Sequence, residues 1–265
     1  MVPLSCILSD RTLDNEWVYF RATEDWAQGR TCFGGFLAAL SVVSMRDTMA
    51  IDAPLRSIHT NFIAPVPPGV VACRSHLLRQ GKSVAQVRCE IFSDETLCGS
   101  VIGVFGNPRK TTLPGRSPSY SKPSCPIEDC QELPFVPGVT PQFLQHISLR
   151  WAQGELPFTR SNDWSSRIYL KVLDECLSPE VQIVLLSDGP PSPALCFFGG
   201  QTMSSSVAWS LELPPLPAEQ SIDGWFLIDT DVVVASEGYT HLSAKLWTPE
   251  GQLASLSNQV VAVFG

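Results

Sequence analysis

The chain has 265 residues and a formal net charge of −8, with 26 Asp and Glu against 18 Lys and Arg. This acidic balance argues against a nucleic-acid partner, because nucleic acids are held by broad basic faces. Hydrophobic residues make up 44% of the chain and charged residues 17%, so the chain can bury a full core. The length allows one large domain or two of about 130 residues.

The first residues lack the basic leader and the long apolar run of a signal peptide. No window offers the roughly 18 continuous apolar residues of a membrane span. The nine cysteines are scattered through helix and strand patterns, which favours reduced thiols over a disulfide framework. We therefore expect a cytoplasmic protein without a membrane span.

The first part of the chain predicts one buried helix followed by an antiparallel sheet. A strand is expected at about Trp17–Thr23. Residues Gly34–Ala50 are apolar around nearly the whole helix circumference, which indicates a buried helix. From Pro54 to Gly106, apolar and polar residues alternate between breaks, which predicts an antiparallel meander of about four strands. This order indicates an α+β fold in which a sheet wraps around a helix.

A proline-rich stretch then separates two units. Eight prolines fall between Asn107 and Pro141 with little periodicity, which predicts an extended connection. The predicted organisation is an N-terminal unit at 1–106, a connection at 107–141 and a C-terminal unit at 142–265.

The second unit repeats the order of the first. A short helix at Glu180–Ser187 is stopped by Asp188-Gly189-Pro190. The closing residues Val263-Phe264-Gly265 repeat Val104-Phe105-Gly106. These correspondences predict an internal duplication. The predicted strands are Gln145–Ala152, Ser166–Val172, Ser204–Leu213, Phe226–Val234 and Thr240–Trp247.

Four stretches resemble the acyl-CoA thioesterase II-like family. They are Gly29–Gly35, Leu55–Phe62 with the following Pro65, Leu78–Ser83, and Leu253–Gln259. The resemblance covers both halves of the chain and leaves out mainly the proline-rich connection. It implies a double hot-dog fold, which consists of two tandem units, each an antiparallel sheet wrapped around a central helix.

The resemblance also implies a reaction and a site. The family hydrolyses acyl-CoA thioesters with a water held by an Asp, a Ser or Thr, and a Gln. These positions fall on Asp188, Ser204 and Gln259, and a strand slip would replace Ser204 by Thr202 or Ser205. No metal or organic cofactor is expected. The first half has Ser100 in place of Gln259, so one active centre per chain is expected.

General chemistry supports this assignment while leaving simpler readings open. A carboxylate at a helix end can serve as a base, and Gly34 and Gly35 open a buried helix whose free N–H groups suit an oxyanion. We expect this pair to face Asp188 of the other unit. The glycines could instead serve only close packing, and Asp188 could be a turn residue. Arg79 and Lys82 could contact CoA phosphates, although an exposed turn is normally charged.

Two other functions stay open. The first is a non-hydrolytic acyl-thioester binding protein on the same scaffold. The second is a thioesterase for a carrier-protein-bound acyl chain, for which Arg79, Lys82, Arg109 and Lys110 are the basic candidates. No Gly-x-Ser-x-Gly elbow occurs, which argues against an α/β-hydrolase. A homo-oligomer is expected, because antiparallel sheets present edges that need covering.

Overall fold

The computed structural model describes residues 1–217 and 222–264. Its helices are α1 (Leu4–Ser9), α2 (Gly34–Met49) and α3 (Pro179–Ser187). Its strands are β1 (Thr12–Asp14), β2 (Trp17–Ala22), β3 (Ala27–Gln28), β4 (Thr31–Cys32), β5 (Leu55–Phe62), β6 (Gly69–Gln80), β7 (Val84–Ser93), β8 (Thr96–Gly106), β9 (Gln131–Leu133), β10 (Ile147–Gln153), β11 (Ser165–Val172), β12 (Met203–Glu212), β13 (Phe226–Ser236), β14 (Tyr239–Trp247) and β15 (Leu253–Phe264).

One large antiparallel sheet spans both halves of the chain. Within the described ranges it has thirteen strands in the order β1-β2-β6-β7-β8-β5-β12-β15-β14-β13-β11-β10-β9. The series β2-α2-β5-β6-β7-β8 is repeated by β11-α3-β12-β13-β14-β15, as the predicted duplication requires. Gly265, at the end of the predicted repeat, lies outside the described residues.

The predicted four-strand meander is right in strand number and wrong in order. Strands β6, β7 and β8 follow one another as hairpins, but β5 lies beyond β8 and not beside β6. This position gives β5 a second neighbour in β12, with Ala208 opposite Asn61 and Glu212 opposite Ser57. The two halves therefore share backbone hydrogen bonds at the centre of the sheet, where neither central strand is left as an edge.

Both predicted helices are present, and α2 is an interior element. Ten of its sixteen residues are buried, because apolar side chains cover all its sides. Helix α3 lies beside α2 in the opposite direction. The C-terminal Arg46 of α2 pairs with Glu180 at the start of α3 at 2.6 Å, and a Cβ on Gly35 at the start of α2 would lie 2.8 Å from the Leu185 carbonyl near the end of α3.

The proline-rich connection packs against the C-terminal half of the sheet. Strand β9 lies within it and pairs with β10. The Tyr120 ring lies 5.5 Å from that of Trp247, and Arg167 donates a hydrogen bond to the Ser121 carbonyl. In the described part of the chain, no helix combines the length and the apolar character that crossing a membrane requires.

We predict that Gly103→Val destabilises the fold. A Cβ on Gly103 of β8 would lie 2.6 Å from Met45 Sδ and 3.2 Å from the Phe105 ring, and both residues are fully buried. Overpacking of this kind costs about 1–3 kcal/mol. Urea unfolding measures the change, with Gly115→Val as control, because nothing lies within 4 Å of its Cβ position. Equal stabilities of the two variants would contradict the packing of α2 on β8.

Candidate active site

Three polar side chains from the C-terminal half meet at the end of α3. The side-chain Nε2 of Gln259 donates to Asp188 Oδ1 and to Ser206 Oγ, each at 2.8 Å. An ionised carboxylate only accepts hydrogen bonds, so the amide nitrogen of Gln259 has to face Asp188. Both hydrogens of that nitrogen are then engaged, which leaves the amide oxygen Oε1 to accept from a further group.

The hydroxyl in contact with Gln259 belongs to Ser206 and not to Ser204. Ser204 lies opposite Val263, farther along β12, whereas Ser206 lies opposite Val261. The pairing of β12 with β15 shifts register between Ser206 and Ala208. Ser204 and Ser206 both precede this β-bulge and share the face of Gln259. Ser206 makes the contact because its partner Val261 lies two residues from Gln259, whereas Val263, the partner of Ser204, lies four residues away. The two alternatives also lie elsewhere, since Ser205 is exposed and Thr202 bonds the Gly200 carbonyl.

Asp188 is held in an environment that favours its protonated form. It is the C-cap residue of α3, where the negative end of the helix dipole disfavours a carboxylate. Burial of its carboxyl raises the pKa to about 7, against the opposing effect of hydrogen bonds from Gln259 and from the Gly35 N–H. The residue as a whole keeps a partial opening to solvent. A carboxyl that titrates near neutrality suits proton transfer.

Gly34 and Gly35 face Asp188 across the boundary between the two halves, as expected. A Cβ on Gly34 would lie 2.6 Å from Asp188 Oδ2, and one on Gly35 would lie 2.8 Å from both the Leu185 carbonyl and the Phe33 ring. Any larger residue would push α2 away from α3. The lack of a side chain at Gly34 and Gly35 therefore allows both the close packing of α2 on α3 and the approach of α2 to Asp188. The Gly35 N–H donates a hydrogen bond to the Asp188 carboxylate.

The ring of Phe62 covers this junction. Its Cζ lies 3.0 Å from the Cβ position of Gly34, the point that is 2.6 Å from Asp188 Oδ2. Phe62 ends β5 and is only partly buried. An apolar ring beside a carboxylate displaces water from it and so raises its pKa. No motif in the sequence points to this residue, which precedes Asp188 by more than a hundred positions.

A buried pair of hydroxyls fixes the end of α3 against β15. Ser187 Oγ donates to the Ile183 carbonyl at 2.7 Å and lies 2.7 Å from Ser255 Oγ. Both serines are buried. Ser187 precedes Asp188, and Ser255 lies on the same strand as Gln259. This bridge therefore sets the distance between the carboxylate and the amide.

The opposite end of the helix pair is closed. There Pro179, which has no N–H, begins α3. The Arg46 guanidinium binds Glu180 and the carbonyls of Ile51 and Ala53. This ion pair fills the place that is related by the duplication to the Gly34–Asp188 junction.

Arg79 and Lys82 lie far from Asp188. Phe62 pairs with Gly99, and Gly99 pairs with Ile91 on β7. Arg79 lies opposite Gln86 and Lys82 lies beyond Val84, five and seven residues further along β7, which corresponds to about 16 and 23 Å of strand. The structure therefore does not bring these two residues into the Asp188 site. Within the described ranges, no group of three or more His, Cys, Asp and Glu side chains could hold a metal ion.

Solved structures with the same architecture cover the whole chain. A conserved protein of unknown function with a hot dog fold from Alicyclobacillus acidocaldarius has a TM-score of 0.86 at 15% identity, over 100% of this chain and 99% of that one. A putative thioesterase from Novosphingobium aromaticivorans gives 0.76 at 20% identity, over 96% and 98%. The acyl-CoA thioesterase II TesB2 from Mycobacterium marinum gives 0.74 at 17%, over 99% of each chain. These similarities identify the fold as a hot-dog fold.

Sequence comparison identifies the family. Residues 22–106 match the acyl-CoA thioesterase N-terminal domain, and residues 127–263 match the acyl-CoA thioesterase C-terminal domain. The chain therefore belongs to the acyl-CoA thioesterase family and is a thioester hydrolase. No curated protein sequence matches it.

The raised pKa of Asp188 predicts a stability that depends on pH. The folded state holds the Asp188 proton up to a pKa of about 7, whereas the unfolded chain releases it near the ordinary pKa of 3.8. The free energy of unfolding therefore falls as pH rises between these values. We expect Asp188→Asn to remove this component and Phe62→Ala to reduce it, since water then reaches the carboxylate.

Urea unfolding of each variant from pH 4 to 8 measures this effect as a difference from the wild type, because other groups also titrate. Phe135→Ala, which removes another partly buried ring packed on the core, is the control. A Phe62→Ala profile parallel to that of Phe135→Ala would show that the ring does not desolvate Asp188.

Proposed function

We propose that the protein hydrolyses a fatty or related acyl-CoA to a free acid and CoA, with two tandem hot-dog units forming one active centre. The observation that supports this proposal is the hydrogen-bonded set of Asp188, Gln259 and Ser206 at the start of α2. In its ionised form Asp188 is the base, and the other two side chains orient the attacking water. No metal or organic cofactor enters the reaction.

The proposed reaction begins with a water beside Asp188. The carboxylate takes one proton from this water while the oxygen attacks the thioester carbonyl carbon, giving a tetrahedral oxyanion. Collapse of this intermediate breaks the C–S bond, and the departing sulfur receives the proton from Asp188. The products are the acid and CoA with a free thiol, and the carboxylate is regenerated.

Gln259 and Ser206 hold the attacking water in position. Gln259 Oε1 is available to accept a hydrogen bond from the second O–H of the water, because its nitrogen is engaged by Asp188 and Ser206. Ser206 Oγ accepts from Gln259 and so has its own proton free to donate to the water oxygen. Fixing the water in this way lowers the entropic part of the barrier.

The start of α2 stabilises the negative charge of the reaction. In the proposed reaction the thioester carbonyl oxygen becomes an oxyanion beside the positive end of the helix dipole and the N–H groups of Gly34 and Gly35. The Gly35 N–H bonds Asp188 in the resting state. As Asp188 accepts a proton it becomes a weaker acceptor, which leaves this N–H free to donate to the oxyanion.

A non-hydrolytic acyl-thioester binding protein is the second candidate. The observation that favours it is the Phe62 ring, whose Cζ lies 3.0 Å from the Cβ position of Gly34, where α2 meets Asp188. In this reading the ring restricts the approach of water. Activity measurements separate the two functions, because only the enzyme releases CoA.

We predict that Asp188→Asn lowers the turnover of acyl-CoA by at least about a hundredfold, the loss typical of a removed general base. Ser206→Ala should lower it about tenfold or more through loss of the oriented water, while Ser204→Ala serves as the matched control and stays close to the wild type. Release of free CoA from substrates of increasing acyl length measures each variant.

Three results would contradict these assignments. Undiminished turnover in Asp188→Asn would exclude it as the base. A larger loss in Ser204→Ala than in Ser206→Ala would reverse the serine assignment. A wild type that releases no CoA, yet gains melting temperature with acyl-CoA, would be the binding protein.

The pH dependence of turnover follows from the same carboxylate. We expect kcat/KM to rise with pH through an apparent pKa of about 7, because only ionised Asp188 accepts a proton. Initial rates between pH 5 and 9 measure the profile, with substrate alone as the control for uncatalysed hydrolysis. A rate that is flat through neutrality would show that another group limits the reaction.

A further inference from the structure

A basic cleft lies at the β6–β7 hairpin, away from the Asp188 site. Its volume is about 490 Å³. Three of its lining residues are cations, and none is a carboxylate; the lining consists of Arg79, Gly81, Lys82, Ser83, Val84, Gln86 and Arg109. The chain as a whole carries a net charge of −8, so this concentration of positive charge runs against its overall balance.

These cations differ from most other arginines of the protein. Six arginines form ion pairs with carboxylates, namely Arg11, Arg46, Arg74, Arg88, Arg150 and Arg167. Arg79, Lys82 and Arg109 form none with any residue in 1–217 or 222–264. Like charges without a counter-charge repel one another, and an anion in the cleft would relieve that repulsion.

Specific backbone features assemble the cleft. The pairing of β6 with β7 shifts register between Leu77 and Arg79. This bulge sets Arg79 opposite Gln86, on the outer face of the sheet, where regular alternation would have placed Leu78. The Asn107 N–H then donates to the Ser83 carbonyl at 2.9 Å, which holds the start of the connection, and with it Arg109, against the hairpin.

We propose that this cleft binds the phosphate of a phosphomonoester, such as the 3′-phosphate of CoA or of a related free nucleotide. Arginine offers a planar fork of donors to phosphate oxygens and lysine a compact charge, and Ser83 and Gln86 add neutral polar groups. The residues of the cleft that lie on β6 and β7 begin about 16 Å of strand from the row that contains Phe62. A phosphate held there affects the binding of a ligand and not the chemistry at the thioester.

Calorimetric titration with adenosine 3′,5′-bisphosphate tests the site directly. We expect binding that weakens with added salt, and a loss of about tenfold or more in affinity in Arg79→Gln/Lys82→Gln/Arg109→Gln. The control is Arg21→Gln/Arg116→Gln/Lys122→Gln, which removes the same charge from other exposed positions and should bind as the wild type does.

Kinetics with acyl-CoA and its 3′-dephospho form then identify the source of the phosphate. If the cleft variant raises KM about tenfold for acyl-CoA only, at unchanged kcat, the phosphate is that of the substrate. If it loses the bisphosphate at unchanged KM, the ligand is a separate nucleotide. A wild type that does not bind the bisphosphate, or equal losses in both variants, would overturn the proposal. The titration needs no turnover, so it can be interpreted even if hydrolysis is not found.

Discussion

The contact between the end of α3 and the start of α2 is the constraint on which the rest of the structure depends. A carboxylate at the negative end of one helix dipole is held by the positive end of another, through the Gly35 N–H. This requires the two helices to lie side by side in opposite directions and to approach closely at Gly34 and Gly35. The antiparallel pairing of β5 with β12 joins the two halves in the relation that this contact needs.

The same contact explains how the buried carboxyl of Asp188 can still titrate near neutral pH. Burial alone would keep the carboxyl protonated, and the hydrogen bonds from Gln259 and Gly35 restore part of the stability of the ionised form. The balance of these effects leaves the pKa close to neutrality. A carboxyl there can accept a proton in one step and return it in the next.

The fold was predictable from sequence because its signals are local. The apolar helix Gly34–Ala50, the alternating strands and the repeated order of elements identify both halves. The place of β5 beside β12 was not predictable, since strand order depends on contacts between distant segments. The contact between Asp188 and Gln259 was expected from the resemblance, but that of Ser206 was not, because Ser204 and Ser206 share one face and only the register of β12 on β15 shows which of them lies nearer to Gln259. The bulge next to Arg79 likewise has no sequence signal.

The closed end of the helix pair, where Arg46 and Glu180 meet, has a consequence for how such a chain can evolve. A symmetric ancestor with two equivalent centres could lose a residue from one of them and still work. Here the first half supplies Gly34 and Gly35 and the second supplies Asp188, so the two halves contribute different residues to one junction. A substitution in either half therefore acts on the same junction. The two halves therefore depend on each other at this junction, although they repeat the same order of elements.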